Sequence, residues 1–228
     1  MKIAVLGTGI VGQTIAAKLA ALGHEVSMGT RNPQKTLELT EPNRMTGIVF
    51  SNWYQTHKNI KLVSFEIIAK DADLVINASS GKATLTVLGL VGESNLAGKV
   101  LIDFANPLDF SKGYPSINPV NDDSLAEQIQ RKFPKSKVVK TLNTMNASVM
   151  VNPGSIAGDH NVFLSGDDDS AKAVVSELLQ DFGWKPENII DLGSISSARG
   201  AEMLLPIWIQ LFNVMGHPNF NFHIQKAE

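Results

Sequence analysis

The sequence predicts an α/β fold: a doubly wound parallel sheet followed by a smaller α/β extension. Three observations carry that prediction. Short apolar runs alternate with helix-period segments along most of the 228 residues, the pattern of strands joined by crossover helices. The first apolar run leads straight into Gly7-Thr8-Gly9-Ile10-Val11-Gly12, an unbroken G-x-G-x-x-G at a strand–helix junction. Near residues 135–145 the pattern restarts, and a further strand–helix–strand unit follows.

In order along the chain, Lys2–Leu6 reads as the first strand and 10–22 as a helix, with Gly23 suited to its C-terminal cap. The second strand is 25–28. A polar stretch at 41–58 interrupts the alternation, either as a lid over the adenosine or as plain surface. The third strand is 61–65, with a short helix at 66–70. Residues 73–79 and 99–107 are strands four and five with their exit loops. Ser124 followed by Glu127 is a capping box opening a helix. Strand six is 137–143. The extension then runs strand 161–166, helix 170–182, strand 188–193 and a closing helix over 198–214, before a polar–aromatic tail. Two regions are expected: 1–140 as a dinucleotide-binding domain, and 141–228 as a smaller domain supplying an acceptor pocket and a dimer contact.

Composition excludes several classes. Hydrophobic residues make up 43% and charged residues 18%, an ordinary globular balance. The formal net charge of −2 gives no electrostatic reason for a nucleic-acid or membrane-surface partner. With no cysteine there is no disulfide, thiol catalysis or cysteine-ligated metal. The apolar segment 201–216 is too short to span a bilayer and contains Glu202, Pro206, Gln210 and Asn213. A cytoplasmic, membrane-free protein is expected.

The glycine run is the strongest chemical signal. Gly7 allows the tight turn, Gly9 leaves room for a pyrophosphate, and Gly12 lets helix and strand approach. The helix N-terminus then faces the diphosphate with unpaired N–H groups. This is the Rossmann-type arrangement. Its usual second signal, an acid at the end of strand two, is missing: Gly29, Thr30 and Arg31 stand there. Without that carboxylate nothing repels a ribose 2′-phosphate, and Arg31, Lys35 and the Thr30 hydroxyl can bind it. The cofactor expected is NADP(H).

Other candidates read as structural. The five histidines form no H-x-x-x-H or H-E-x-x-H pair, so no metal site is expected. Asp167-Asp168-Asp169 precedes Ser170 and a helical pattern and reads as an N-terminal cap. Lys140, at the end of strand six, is either a group acting on a carbonyl or a packed lysine. Phe220 and Phe222 are either a wall over a bound ring or a dimer contact.

"GTGIVGQTIAAKLAALGHEVSMGTRNPQK", "DADLVINAS", "KVLIDFANP", "KVVKTLNTMNASVM", "NVFLSGDDDSAKAVVSELLQDFGW" and "IDLGSISSARGAEMLLPIW", in that order, resemble the NADPH-dependent coenzyme F420 reductases. The reductase domains of the Steap metalloreductases look similar. The resemblance covers nearly the whole chain, apart from the stretch at 40–59. It implies hydride transfer between NADP(H) and a second substrate, coenzyme F420 or FMN/FAD. It also implies that Thr8, Ile10 and Val11 line the diphosphate, and that Thr30, Arg31 and Lys35 hold the 2′-phosphate. Ala78 and Ser79 would border the ribose and nicotinamide, with Asn106, Pro107, Asn143 and Ala147 near the nicotinamide. Ring-to-ring hydride transfer needs alignment and dryness more than an acid–base dyad. Two alternatives stay open: an NADP-dependent carbonyl or imine reductase, which calls for a proton donor near the site, and a non-catalytic NADP(H)-sensing protein.

Overall fold

The computed structural model describes residues 1–43, 47–109, 111 and 113–227. Its strands are β1 (Lys2–Leu6), β2 (Glu25–Thr30), β3 (Lys61–Ser64), β4 (Leu74–Asn77), β5 (Val100–Asp103), β6 (Leu108–Asp109), β7 (Ser116–Ile117), β8 (Lys137–Thr141), β9 (Val162–Ser165) and β10 (Ile189–Asp191). Its helices are α1 (Ile10–Ala21), α2 (Pro33–Glu38), α3 (Phe50–Gln55), α4 (Phe65–Ile68), α5 (Gly81–Val91), α6 (Glu93–Leu96), α7 (Leu125–Lys132), α8 (Ala147–Val151), α9 (Asp169–Phe182), α10 (Ala198–Met203) and α11 (Leu205–Met215).

Eight strands form one sheet in the order β10-β9-β8-β5-β4-β1-β2-β3, and β6 and β7 pair as a separate hairpin. The order reverses direction between β1 and β4, and that switch point opens a crevice at the carboxyl ends of the strands. All pairings in the large sheet are parallel except β8 with β9. The C-terminal strand–helix–strand unit therefore continues the first sheet rather than starting another.

Strands buried on both faces read as continuous apolar runs, and β1, β4 and β5 do so. One layer packs Ile15 and Leu19 of α1, Val149 of α8 and Leu178 of α9 on the sheet. The other packs Leu88 of α5, Ile129 of α7 and Ala198 of α10. No helix among the described residues is long and apolar enough to cross a membrane.

Several local predictions hold at atomic detail. Ser124 Oγ accepts from the Glu127 N–H and donates to the Glu127 carboxylate. Asp168 caps α9 by accepting from the Ala171 N–H, and Asp169 sits in its first turn. The expected 198–214 helix is broken at Leu204, because Pro206 has no N–H to donate to the Glu202 carbonyl. Helix α5 contains two glycines and two threonines, residues of low helix propensity that hide its period in the sequence. Within the stretch 41–58, residues 44–46 lie outside the described residues; α3 buries Phe50, and Trp53 and Tyr54 pack partly against the core.

Candidate functional site

The glycine loop leaves β1 at the switch point. Gly7 has φ +118°, and a Cβ there would lie 2.8 Å from the Ala78 carbonyl oxygen. Only glycine fits both the conformation and the gap. A Cβ on Gly12 would fall 2.2 Å from the Gly7 carbonyl oxygen, so α1 rests directly on the turn. A Cβ on Gly9 would meet nothing within 4 Å, leaving open space in front of the α1 N-terminus. Gln13 Nε2 donates to the Thr8 carbonyl oxygen at 2.8 Å and fixes the loop's outer edge. This cradle fits a diphosphate.

At the end of β2, Gly29 is dictated by packing, since a Cβ would come within 2.8 Å of the Phe65 ring and 2.9 Å of Ile68. Thr30 is buried. Thr36 Oγ1 donates to the Asn32 carbonyl oxygen at 2.9 Å, so the Thr30 hydroxyl is the donor in its 2.7 Å bond to Thr36. The Thr30 hydroxyl proton thus secures α2. Arg31 and Lys35 are exposed, and the Lys35 N–H is received by the capping Asn32 side chain. No carboxylate stands at Gly29, Thr30 or Arg31, where β2 ends.

Along the crevice, strand register sets the chemistry. Asn77, Asp103 and Lys140 are in-register neighbours on β4, β5 and β8, so their side chains share one face. Asn77 Nδ2 donates to Asp103 Oδ1 at 2.6 Å. Lys140 Nζ donates to Asp103 Oδ2 at 2.7 Å, lies 2.9 Å from Glu202 Oε1 of α10, and donates to the Ala105 carbonyl oxygen. Burial alone would lower the Lys140 pKa; the Asp103 and Glu202 charges outweigh it and hold the pKa above its usual value. Glu202 in turn accepts from the Leu125 and Ala126 N–H groups that open α7. Lys140 is therefore a packed and paired lysine whose ammonium is used up inside the protein.

That buried row carries the polar edge of the crevice. Asn77 Oδ1 accepts from Ser79 Oγ at 2.6 Å, turning the Ala78–Ser79 exit inward. Asn106 and Asn143 grip each other: Asn106 Nδ2 donates to the Asn143 carbonyl oxygen at 2.7 Å, and Asn143 Nδ2 donates to Asn106 Oδ1 and to the Ala201 carbonyl oxygen, both at 3.0 Å. Leu142, just before, has φ +59°. A left-handed leucine costs on the order of 1–2 kcal/mol, and here it turns the chain out of β8 towards Asn106.

A cavity of 380 Å³ opens at this edge, between Val11, Ser79, Phe104, Asn106, Asn143, Met145, Met150, Leu205 and Trp208. This is an ordinary volume for a small-ligand site. Asn106, Asn143, Ser79 and Val11, expected from the sequence, meet here. Pro107 lines a neighbouring cavity instead, and Ala147 is buried at the start of α8. Ala78 lies partly buried against the core beneath. The two methionines, Leu205 and Trp208 were not singled out from the sequence; the 3-residue step from Leu205 to Trp208 on an apolar helix was the available signal. Trp208 stacks on Phe212 and on Phe220, with centroids 5.7 and 5.3 Å apart, so the tail's Phe220 backs the cavity wall. Among the described residues, no group of three or more histidine or acidic side chains is placed to hold a metal.

The switch-point sheet and the glycine cradle together define a dinucleotide-binding type of α/β fold. The family model of coenzyme F420-dependent NADP oxidoreductases matches residues 2–107. A crystal structure from Arthrobacter sp. FB24, provisionally named an F420-dependent NADP-reductase, is 56% identical, covers 99% of this chain and 100% of its own, and superposes with a TM-score of 0.93. The F420-dependent NADP reductase of Methanothermobacter marburgensis is 29% identical over 92% of each chain. The rat metalloreductase STEAP3 is 29% identical over 91% of this chain, which spans 38% of that protein's length. The chain belongs to the F420-dependent NADP reductase family and is an NADP-dependent oxidoreductase.

Proposed function

We propose that the protein transfers hydride between NADP(H) and a tricyclic acceptor of the deazaflavin or flavin class, with coenzyme F420 as the first candidate. NADP(H), when bound, supplies or receives the hydride at its nicotinamide ring. The observation that carries the reading is the 380 Å³ cavity at the strand ends. It joins the Ser79 and Asn106–Asn143 edge to an apolar wall of Phe104, Met145, Met150, Leu205 and Trp208. Among the described residues, Lys82 at its rim is the one charged side chain in its lining.

In this reading the backbone of Gly7, Thr8, Gly9, Ile10, Val11 and Gly12 holds the diphosphate. Arg31 and Lys35 hold the 2′-phosphate beside Thr30, Ala78 and Ser79 border the ribose, and Asn106 and Asn143 frame the nicotinamide, whereas Pro107, in the neighbouring cavity, and the buried Ala147 do not line this one. The apolar wall excludes water and sets ring against ring, which is what hydride transfer demands. Residues 1–140 bind the dinucleotide; 141–228 complete the acceptor pocket, since Asn143, both methionines, Leu205 and Trp208 come from there. The exposed Ile207, Val214 and Met215 of α11 are the contact for a second copy of the chain. The cytoplasm, with its NADPH pool, is the place of action.

The test follows NADPH consumption with coenzyme F420, FMN, FAD and riboflavin, with NADH as the control donor. Fast turnover with one tricyclic acceptor and strong preference for NADPH is expected. NADPH binding without turnover on any of them rejects the reading in favour of a carbonyl or imine reductase or of a sensor.

A further inference from the structure

A second cavity, of 360 Å³, lies between α5, α7 and the β6–β7 hairpin. Leu85, Pro107, Pro119 and Leu125 give it apolar walls, with Asn118 and Gln128 as polar lining. Gly81, Lys82 and Leu108 line this cavity and the ring cavity alike, so the two are neighbours across one short rim. Lys82 stands on that rim. It is exposed, and among the described residues it has no ion pair and no hydrogen bond. Ser111 and the Asp109 carboxylate also line the second cavity; Asp109 is turned onto its own loop, accepting from the Ser111 N–H and Oγ at 2.9 and 2.8 Å.

We propose that this second cavity receives the tail of the hydride acceptor, and that Lys82 pairs with a phosphate or carboxylate carried on that tail. The inference rests on the first cavity being the ring site. A cavity of that size is filled by the reacting rings, so any chain attached to the acceptor has to leave it. The adjoining cavity offers that chain apolar walls, and the shared rim offers a free ammonium. A rim ion pair of this kind is worth up to about fivefold in affinity. The protein then selects acceptors by their tails as well as by their rings.

Riboflavin and FMN isolate the effect, because they share one ring and differ by a phosphate. Coenzyme F420 and its tail-free chromophore form the matching deazaflavin pair. With NADPH as donor at low ionic strength, the KM of the partner carrying the anionic group is expected up to about fivefold below that of the partner lacking it, the gap narrowing as salt is added. Lys82→Gln closes the gap, Lys82→Arg keeps it, and Lys82→Glu reverses it. Leu85→Phe, which narrows the cavity without touching charge, raises the KM of tailed acceptors more than that of tail-free ones. Equal KM values for both partners in the unaltered protein overturn the proposal while leaving the ring-site reading intact. A rise in the NADPH KM of Lys82→Gln, with the acceptor gap unmoved, overturns it by giving Lys82 to the dinucleotide. Absence of turnover with every flavin and deazaflavin removes the ring-site reading, and this proposal with it.

Discussion

The two ends of the crevice are made of different materials. At the glycine loop the backbone does the work: three glycines within six residues set a turn, a close helix approach and an open face, and the charges of Arg31 and Lys35 stand exposed on the rim. At the Asn106–Asn143 edge the work is done by side chains from four separate segments, on β4, β5, β8 and α10 or just after them. They are tied through a buried ammonium to two buried carboxylates. The first end is local in sequence and tolerant of surface change. The second exists only once the sheet is formed, and each of its members depends on the others.

Removing the ammonium from the second end is the most damaging test of that contrast. Lys140→Met leaves Asp103 and Glu202 buried without a counter-charge and the Ala105 carbonyl without its donor. Breaking a buried pair this way costs about 3–5 kcal/mol, so urea denaturation of the variant is expected to show a loss of that order. Adding Asp103→Asn and Glu202→Gln should recover much of it. Recovery would show that the loss came from uncompensated charge rather than from a packing defect.

At the first end, Gly12→Ala forces a methyl to within 2.2 Å of the Gly7 carbonyl oxygen, so the loop has to move. Overpacking of this kind costs about 1–3 kcal/mol. NADPH titration is expected to show at least about a tenfold weaker complex. Gly9→Ala is the control for packing: its Cβ meets nothing in the protein, so any weakening of NADPH binding by it reports the bound diphosphate. Arg31→Ala with Lys35→Ala should raise the KM for NADPH about tenfold through lost charge-assisted bonds, leaving NADH unaffected. An equal loss for both dinucleotides would take the 2′-phosphate away from this rim.

The difference between the ends also explains what the sequence disclosed. The glycine loop is legible because each glycine answers a constraint set by residues a few positions away. The missing acid at Gly29–Thr30 is equally plain, although its cause is not: Gly29 yields to Phe65 and Ile68 of α4, and the Thr30 hydroxyl is engaged with Thr36. Lys140 could be seen at a strand end, but Asp103 and Glu202 become its partners only through strand register and the fold of α10 against the sheet. Met145, Met150, Leu205 and Trp208 share a cavity although up to 63 positions separate them. No periodicity reaches across that distance. The antiparallel turn of β9 against β8 was invisible for a related reason, since strand direction is set by where the connecting chain returns and not by the composition of the strand.

The smallest effect falls where the buried network meets solvent. Just ahead of α7, Asp123 accepts from Arg131 at 2.9 Å and from Gln128 at 3.0 Å. Hydrogen bonding to Arg131 is the main cause that brings its pKa down to about 2. Its folded pKa lies below the ordinary carboxylate value near 4, so in that window the unfolded chain binds more protons than the folded one. Stability contributed by Asp123 is therefore full above about pH 4 and is lost as the pH falls towards 2. The pair is partly open to water, which screens it and keeps the contribution modest. Chemical denaturation across this range should show stability rising with pH, with a shallower slope for Asp123→Asn. An unchanged slope would mean that the Arg131 pair is too screened to matter, and that acid sensitivity here comes from the neighbouring Glu127–Arg199 pair, where the same hydrogen-bonding cause lowers the Glu127 pKa.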